Sequence, residues 1–180
     1  MTPRRVILPH TPSRKAFLTV AKYRAFGLTL EKIKTFYVNY CENTGKLNEL
    51  NTMSKIGEDE GHNVFHILSK PPFPLSKRST VAVQYMRNDD ESFNAMISSK
   101  GTEALVKENS KLIGKNVLAR TIINFERYIP FEGGYDIVTV VCMDPAGSIP
   151  DFLKKKKADR DASYPLTIAN FMLTGAVSPI

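Results

Sequence analysis

The sequence predicts an α+β fold in which about eight antiparallel strands form one curved sheet around a long C-terminal helix. Three observations carry this. Runs with two-residue alternation follow one another through short, turn-rich links, which suit antiparallel neighbours and leave no room for parallel crossovers. Helical spacing is clear after residue 28 and again in the last thirty or so residues. A single sheet of this length must curl to cover its apolar face, and the final helix is the element available to fill the concavity.

Taken in order, Arg4–Leu8 and Lys15–Phe26 read as a hairpin, with Phe17, Thr19, Ala21 and Tyr23 alternating against Leu18, Val20, Lys22 and Arg24. Gly27 ends the second strand. From Leu28 to Cys41 the period changes: Leu30, Ile33, Phe36 or Tyr37, and Tyr40 recur every three or four residues, with Thr29 available as a cap. Glu42–Asn51 contains a glycine break with room for a second short helical turn. Met53–Ile56 and Asn63–Leu68 read as a strand pair around an acidic loop at Gly57–Gly61. Ser69–Ser79 has three prolines in four positions, so it is an exposed connection and not a central strand. Thr80–Arg87 and Glu91–Ser98 form a hairpin about Asn88-Asp89-Asp90, and the polar stretch from Gly101 to Gly114 is partly helical. Asn116–Tyr128 and Tyr135–Met143 are the last two strands, joined by residues 129–134.

Asp144-Pro145-Ala146-Gly147 is turn chemistry. Ser148 is then placed as an N-cap, Pro150 fits the first helical turn, and Asp151 complements the positive end of the helix dipole, so the helix begins at Ile149 or Pro150. Phe152 and Leu153 stand at its start. Tyr164, Ile168, Phe171 and Met172 share one face, Ala158, Ala162 and Ala169 form a neighbouring stripe, and Pro165 is expected to kink or restart the helix.

A chain of 180 residues, 42% hydrophobic and 24% charged, is long enough for one domain with a sizeable core, and residues 1–180 are taken as that domain. Cys41 and Cys142 match no metal or redox spacing and read as reduced structural thiols. The N-terminus lacks the apolar segment of a signal peptide and no run approaches a membrane span, which points to the cytoplasm. A net charge of +7 favours anionic partners, a membrane surface or nucleic acid, without choosing between them. Enzyme motifs are lacking: there is no glycine-rich phosphate loop, nucleophile elbow or H-E-x-x-H. His62 and His66 fall on or beside a strand, where their spacing does not build a helical zinc site, and Glu126 and Arg127 alternate to opposite faces. No catalytic residue, metal or cofactor is expected.

Two stretches resemble a known family. The segment 71–83, PPFPLSKRSTVAV, is similar to the loop and strand of the StAR-related lipid transfer (START) domains, which show P-x-P, then R-D and an apolar strand. The segment 135–153, YDIVTVVCMDPAGSIPDFL, resembles their closing strand, D-P-G-G-S-I-P turn and the start of their lid helix. The resemblance runs loosely from about residue 4 to residue 172 and lacks the N-terminal helix that usually precedes the first strand. It implies a helix-grip fold, with the sheet wrapped around the C-terminal helix and a lipid held between them. Arg78 matches the arginine of R-D, which lies near the head group in phospholipid-binding relatives, and Ser79 replaces the aspartate. Phe73 stands where phosphatidylcholine binders place a tyrosine, the tryptophan of their choline box is missing, and Gln84 occupies the place of a second arginine found in some sterol binders. Neither phosphatidylcholine nor cholesterol specificity is implied.

The expected function is to bind a single lipid, a phospholipid or other hydrophobic molecule, and transfer it between membranes. The alternatives are a lipid-sensing module without transfer and a basic nucleic-acid binder, and nucleic acid is not the expected partner. Lipid contact is assigned to Phe73, Arg78, Tyr85, Tyr128, Tyr135, Phe152, Ile168, Phe171 and Met172. Against this, Arg78 reads equally as a surface arginine, the tyrosines as ordinary half-buried strand residues, and the helix stripe as plain core. Leu75, beside Phe73 on the constrained loop, and Lys154, Lys155, Lys156 and Lys157 are assigned to transient contact with an anionic membrane by a monomer. A solvated helix face is the plainer reading of the lysines.

Overall fold

The computed structural model describes residues 16–176 other than 49 and 148. Its elements are β1 (Phe17–Phe26), α1 (Leu30–Val38), α2 (Tyr40–Leu47), β2 (Asn51–Asp59), β3 (His62–Ser69), β4 (Arg78–Asp89), β5 (Ser92–Ser98), α3 (Glu103–Glu108), α4 (Ser110–Ile113), β6 (Val117–Leu118), β7 (Arg120–Phe131), β8 (Gly134–Asp144) and α5 (Asp151–Thr174). Among the described residues these strands form one curved sheet in the order β1-β8-β7-β5-β4-β3-β2, antiparallel throughout. The short β6 lies off this path and pairs in parallel with the start of β4. Because β1 and β2 sit at opposite ends of that order, the chain between them must cross the width of the sheet, and α1 and α2 do so on its inner face.

Local chemistry places each piece. The Thr29 hydroxyl caps α1 by accepting from the Lys32 amide at 3.3 Å, and Ile33, Phe36 and Tyr37 form its buried face. Asn39 closes α1 by donating its amide to Thr35 O, and α2 starts at the next residue. At the β1–β8 pair, a side chain on Gly134 would collide with the Ala25 carbonyl, so the close approach of the two strands there requires glycine. The α5 helix ends at Gly175, whose φ of 70° and amide bond to Phe171 O form a left-handed cap.

Tyr23 on β1 donates to the Ala162 carbonyl of α5, which fixes the helix over β1 and identifies the inner face. Cross-strand register then carries that face through β8, β7, β5, β4 and β3. Its apolar members, including Phe65, Ala82, Phe93, Tyr128 and Ile137, pack with Ile33, Phe36 and Tyr37 of α1 and Ile168, Ala169 and Met172 of α5 in one continuous cluster. The outer face carries a smaller cluster of Val64, Val81 and Val83 under Ile113.

The structure corrects several expectations. Strand β2 runs on to Asp59 through a bulge between Lys55 and Gly57, so the acidic residues belong to a hairpin with a tight Glu60-Gly61 turn and not to an open loop. The α5 helix begins at Asp151 with Pro150 in the cap position, one residue later than expected. It also continues through Pro165 as one element: the proline ring is fully buried against the sheet, and packing offsets the lost backbone hydrogen bond. Arg4–Leu8 and Ser148 lie outside the described residues. Cys41 and Cys142 are free thiols, as expected.

Candidate functional site

The space between α5 and the inner face contains a polar centre within its apolar cluster. Glu126 on β7 is 5% exposed, and its Oε2 accepts from the hydroxyls of Tyr37 and Tyr128, each at 2.7 Å. The two hydroxyls are 3.1 Å apart, and Tyr40 stacks on Tyr37 with ring centroids separated by 5.5 Å. Oε1 of Glu126 accepts nothing from the described residues. Burial pushes the Glu126 carboxyl above the usual carboxylate range, against the opposing pull of its two O–H donors. Burial first, and the nearby carboxylate second, hold Tyr37 and Tyr128 well above the ordinary phenol value.

Around this centre several polar atoms are buried without a hydrogen-bond partner. They include the hydroxyls of Thr19, Thr139 and Tyr164 and the amide nitrogen of Gln84. Thr139 sits directly opposite Glu126 in the β7–β8 ladder, on the same face. Gln84 is 1% exposed, and its amide oxygen accepts from Asn63 at 3.2 Å. Folded interiors normally satisfy such atoms with protein or water, so these are the inner-face positions where a water or a bound molecule would find partners.

The near end of this space is formed by the 70–77 connection and the turn from β8 into α5. Arg78 joins them: its Nε donates to Pro145 O at 3.0 Å and its Nη1 to Ser76 O at 2.6 Å, and desolvation lowers its pKa. Phe73 is 96% exposed on the connection and Phe152 is 70% exposed at the start of α5. Lys155 and Lys156 are exposed, Lys157 pairs with Asp161 at 2.7 Å, and the Lys154 side chain lies outside the described residues. A cavity of about 120 Å³ lies elsewhere, between α3 and the outer face beside Val81, Thr102 and Val106, with room for a few waters and not for a lipid.

No family model and no curated protein sequence matches the chain. Solved structures do. Human STARD10 superposes with a TM-score of 0.67 at 12% identity, covering 95% of this chain and 72% of that one. The lipid transfer and protein localization domain of human StarD13 gives 0.63 at 11% identity, over 99% of this chain and 90% of that one. A STAR-related lipid transfer protein from Xanthomonas axonopodis gives 0.60 at 11% identity, over 92% and 96%. The fold is that of the START domains. In this START fold, the expected helix-grip arrangement of sheet and C-terminal helix is present, and among the described residues no helix is long and apolar enough to cross a membrane.

The structure sorts the expected lipid-contact residues into three places. Tyr128, Tyr135, Ile168 and Met172 are buried on the inner side, and Phe171 packs against Phe36. Tyr135 spends its hydroxyl on the Glu91 carbonyl at 3.0 Å. Arg78, Phe73, Phe152 and half-buried Leu75 belong to the near end. Tyr85 is misassigned, because its position on β4 has the outer parity: it packs with Val81 and Val83 and lies against the His62 ring, tilted by 57° with centroids 4.6 Å apart. His66 also points outward, onto the Ser79 hydroxyl at 3.0 Å. Sequence reasoning missed Glu126, Tyr37, Thr139 and Tyr164. The available signal was parity: Glu126 is in phase with Tyr128 on a strand whose even positions turn inward.

Proposed function

We propose that this chain is one lipid-binding domain that holds a single lipid between α5 and the inner face of the sheet and carries it between membranes. The observation that carries this reading is the group of buried, unpartnered polar atoms beneath α5, in the position where a ligand lies between a helix and a curved sheet. Likeness in fold to structures described as lipid transfer proteins supports it.

Energetics favour a carrier that opens on the membrane. Extracting a sixteen-carbon acyl chain into water costs more than about 10 kcal/mol at roughly 0.8 kcal/mol per methylene, so the chain must pass directly from bilayer to protein. Phe73 and Phe152 supply apolar contact at the surface. Lysines near an anionic leaflet contribute about 1 kcal/mol each, enough for transient docking and too little for permanent anchoring. The helix and the 70–77 connection then part, and Arg78 is the joint that must loosen. In this reading the protein works as a cytoplasmic monomer.

The test is transfer of a fluorescent phospholipid between donor and acceptor vesicles, with native mass spectrometry of the purified protein. Accelerated transfer is expected. A bound lipid without transfer would make the chain a sensor, and an empty interior with no transfer would end the lipid reading.

A further inference from the structure

The outer face of the sheet carries two neighbouring stripes of opposite character. In the cross-strand register Val20 of β1, Val140 of β8, Phe125 of β7, Met96 of β5 and Tyr85 of β4 stand in one row, each half-buried. Two residues further along each strand, Lys22, Val138, Arg127, Asn94 and Arg87 form the next row on the same face. The first row is apolar or aromatic from end to end. The second sets a lysine and two arginines across the same width.

Nothing among the described residues roofs the apolar row. Helices α3 and α4 lie on this face, but their Leu105, Val106 and Ile113 pack on the neighbouring Val64, Val81 and Val83. Val20, Val140, Phe125 and Met96 belong to neither apolar cluster of the fold. The row crosses from β1 to β4, a span of about 19 Å at the usual strand spacing, which matches about thirteen residues of α-helix. A helix of that length laid beside α3 and α4 would extend the layer they begin, as α1 crosses the sheet on the inner face.

Charge decides what kind of helix fits. Arg127 is exposed and makes no ion pair among the described residues. Lys22 and Arg24 share the carboxylate of Asp136 at 3.2 and 2.9 Å, so that group keeps an unmatched positive charge. Arg87 pairs with Asp89 at 2.6 Å. The basic row runs about 7 Å from the apolar one, under the flank of a seated helix about 10 Å wide. Neither end of the chain outside the described residues supplies the matching anions: residues 1–15 bring Arg4, Arg5, Arg14 and Lys15 without an acidic residue, and residues 177–180 bring no charged side chain. A second copy brings the same basic row and a further net charge of +7. A bilayer is flat, and α3 and α4 stand a helix layer above the row on the same face.

We propose that this stripe is a docking surface for an amphipathic helix of another protein, with its apolar side on Val20, Val140, Phe125 and Met96 and acidic residues on the flank that meets Lys22 and Arg127. The surface lies across the sheet from α5, so it stands or falls independently of what the interior holds.

The test measures fluorescence anisotropy of stapled helical peptides of about fifteen residues titrated with the full chain. The peptides share one leucine stripe and carry glutamate, glutamine or lysine along one flank. The glutamate peptide is expected to bind at least about tenfold more tightly than the lysine peptide, with glutamine between them. Phe125→Ser removes apolar contact and weakens the glutamate peptide about tenfold. Arg127→Glu, at an exposed position, weakens it about fivefold and strengthens the lysine peptide, and it carries the test by itself should Phe125→Ser not fold. Binding of no peptide, equal binding of all three, or unchanged affinities in the folded variants overturns the proposal. Sedimentation of the chain alone and flotation with phosphatidylserine vesicles examine the other occupants. A dimer dispersed by Phe125→Ser or Arg127→Glu, or vesicle binding lost in either of them and kept in Phe73→Ser, gives the surface to a second copy or to a membrane and overturns it as well.

Discussion

At the near end of the space under α5, Phe73 is 96% exposed, Phe152 is 70% exposed, and one arginine holds two loops together through carbonyl oxygens. Toward the far end, Tyr128 and Ile137 are fully buried, and a carboxyl group shares its oxygen with two phenols. The first region leaves apolar surface in water and has few bonds to lose. The second has removed polar groups from water and depends on their pairing. The contrast teaches where the chain is held tightly: few bonds tie the near end, whereas the far end depends on the pairing of buried polar groups.

The largest expected effect tests the rigid end. Tyr128→Ala removes a fully buried ring and a donor to Glu126, and should lower unfolding free energy by about 4 kcal/mol in urea titrations. Phe73→Ser should change it by less than about 0.5 kcal/mol, since its ring is in water. Equal losses in the two variants would erase the distinction.

Arg78→Met stands between these. It leaves the Pro145 and Ser76 carbonyls without their charged donor, at a cost of about 2 kcal/mol. Limited proteolysis within residues 70–77 should also become faster. An unchanged cleavage rate would show that the two loops are held by something else.

Glu126→Gln sharpens the comparison through pH. Burial raises the folded carboxyl's pKa, so the folded form binds its proton more tightly than the unfolded chain does. That contribution is fully present below the ordinary carboxylate range and fades as pH rises through the raised value. Glutamine has no such titration, so the melting temperature of Glu126→Gln relative to the parent should climb from about pH 4 to about pH 8. A difference flat with pH would place the carboxyl in water. The smallest stability effect, that of Phe73→Ser, should come with a several-fold slower vesicle transfer, since its exposed ring lies outside the core and is the proposed membrane contact.

Much of the near end was legible in the sequence because its signals are local. Prolines at 71, 72 and 74 exclude a strand, and Phe73 among them is apolar with nothing nearby in sequence to bury it. Lysines 154–157 cover every side of a helix, so some must be exposed, as Lys155 and Lys156 are. Tyr85 was misplaced because alternation along β4 gives two sets of positions without saying which set faces the helix.

Periodicity, turn residues and caps were enough to determine from sequence alone that this is an antiparallel sheet with a long terminal helix, since those signals act over a few residues. Only the tertiary structure decided that Glu126 would lie between Tyr37 of α1 and Thr139 of β8. These positions are separated widely along the chain, and their meeting depends on α1 crossing beneath the sheet and on the register of β7 with β8. Desolvation belongs to the assembled interior, and no window of sequence contains it.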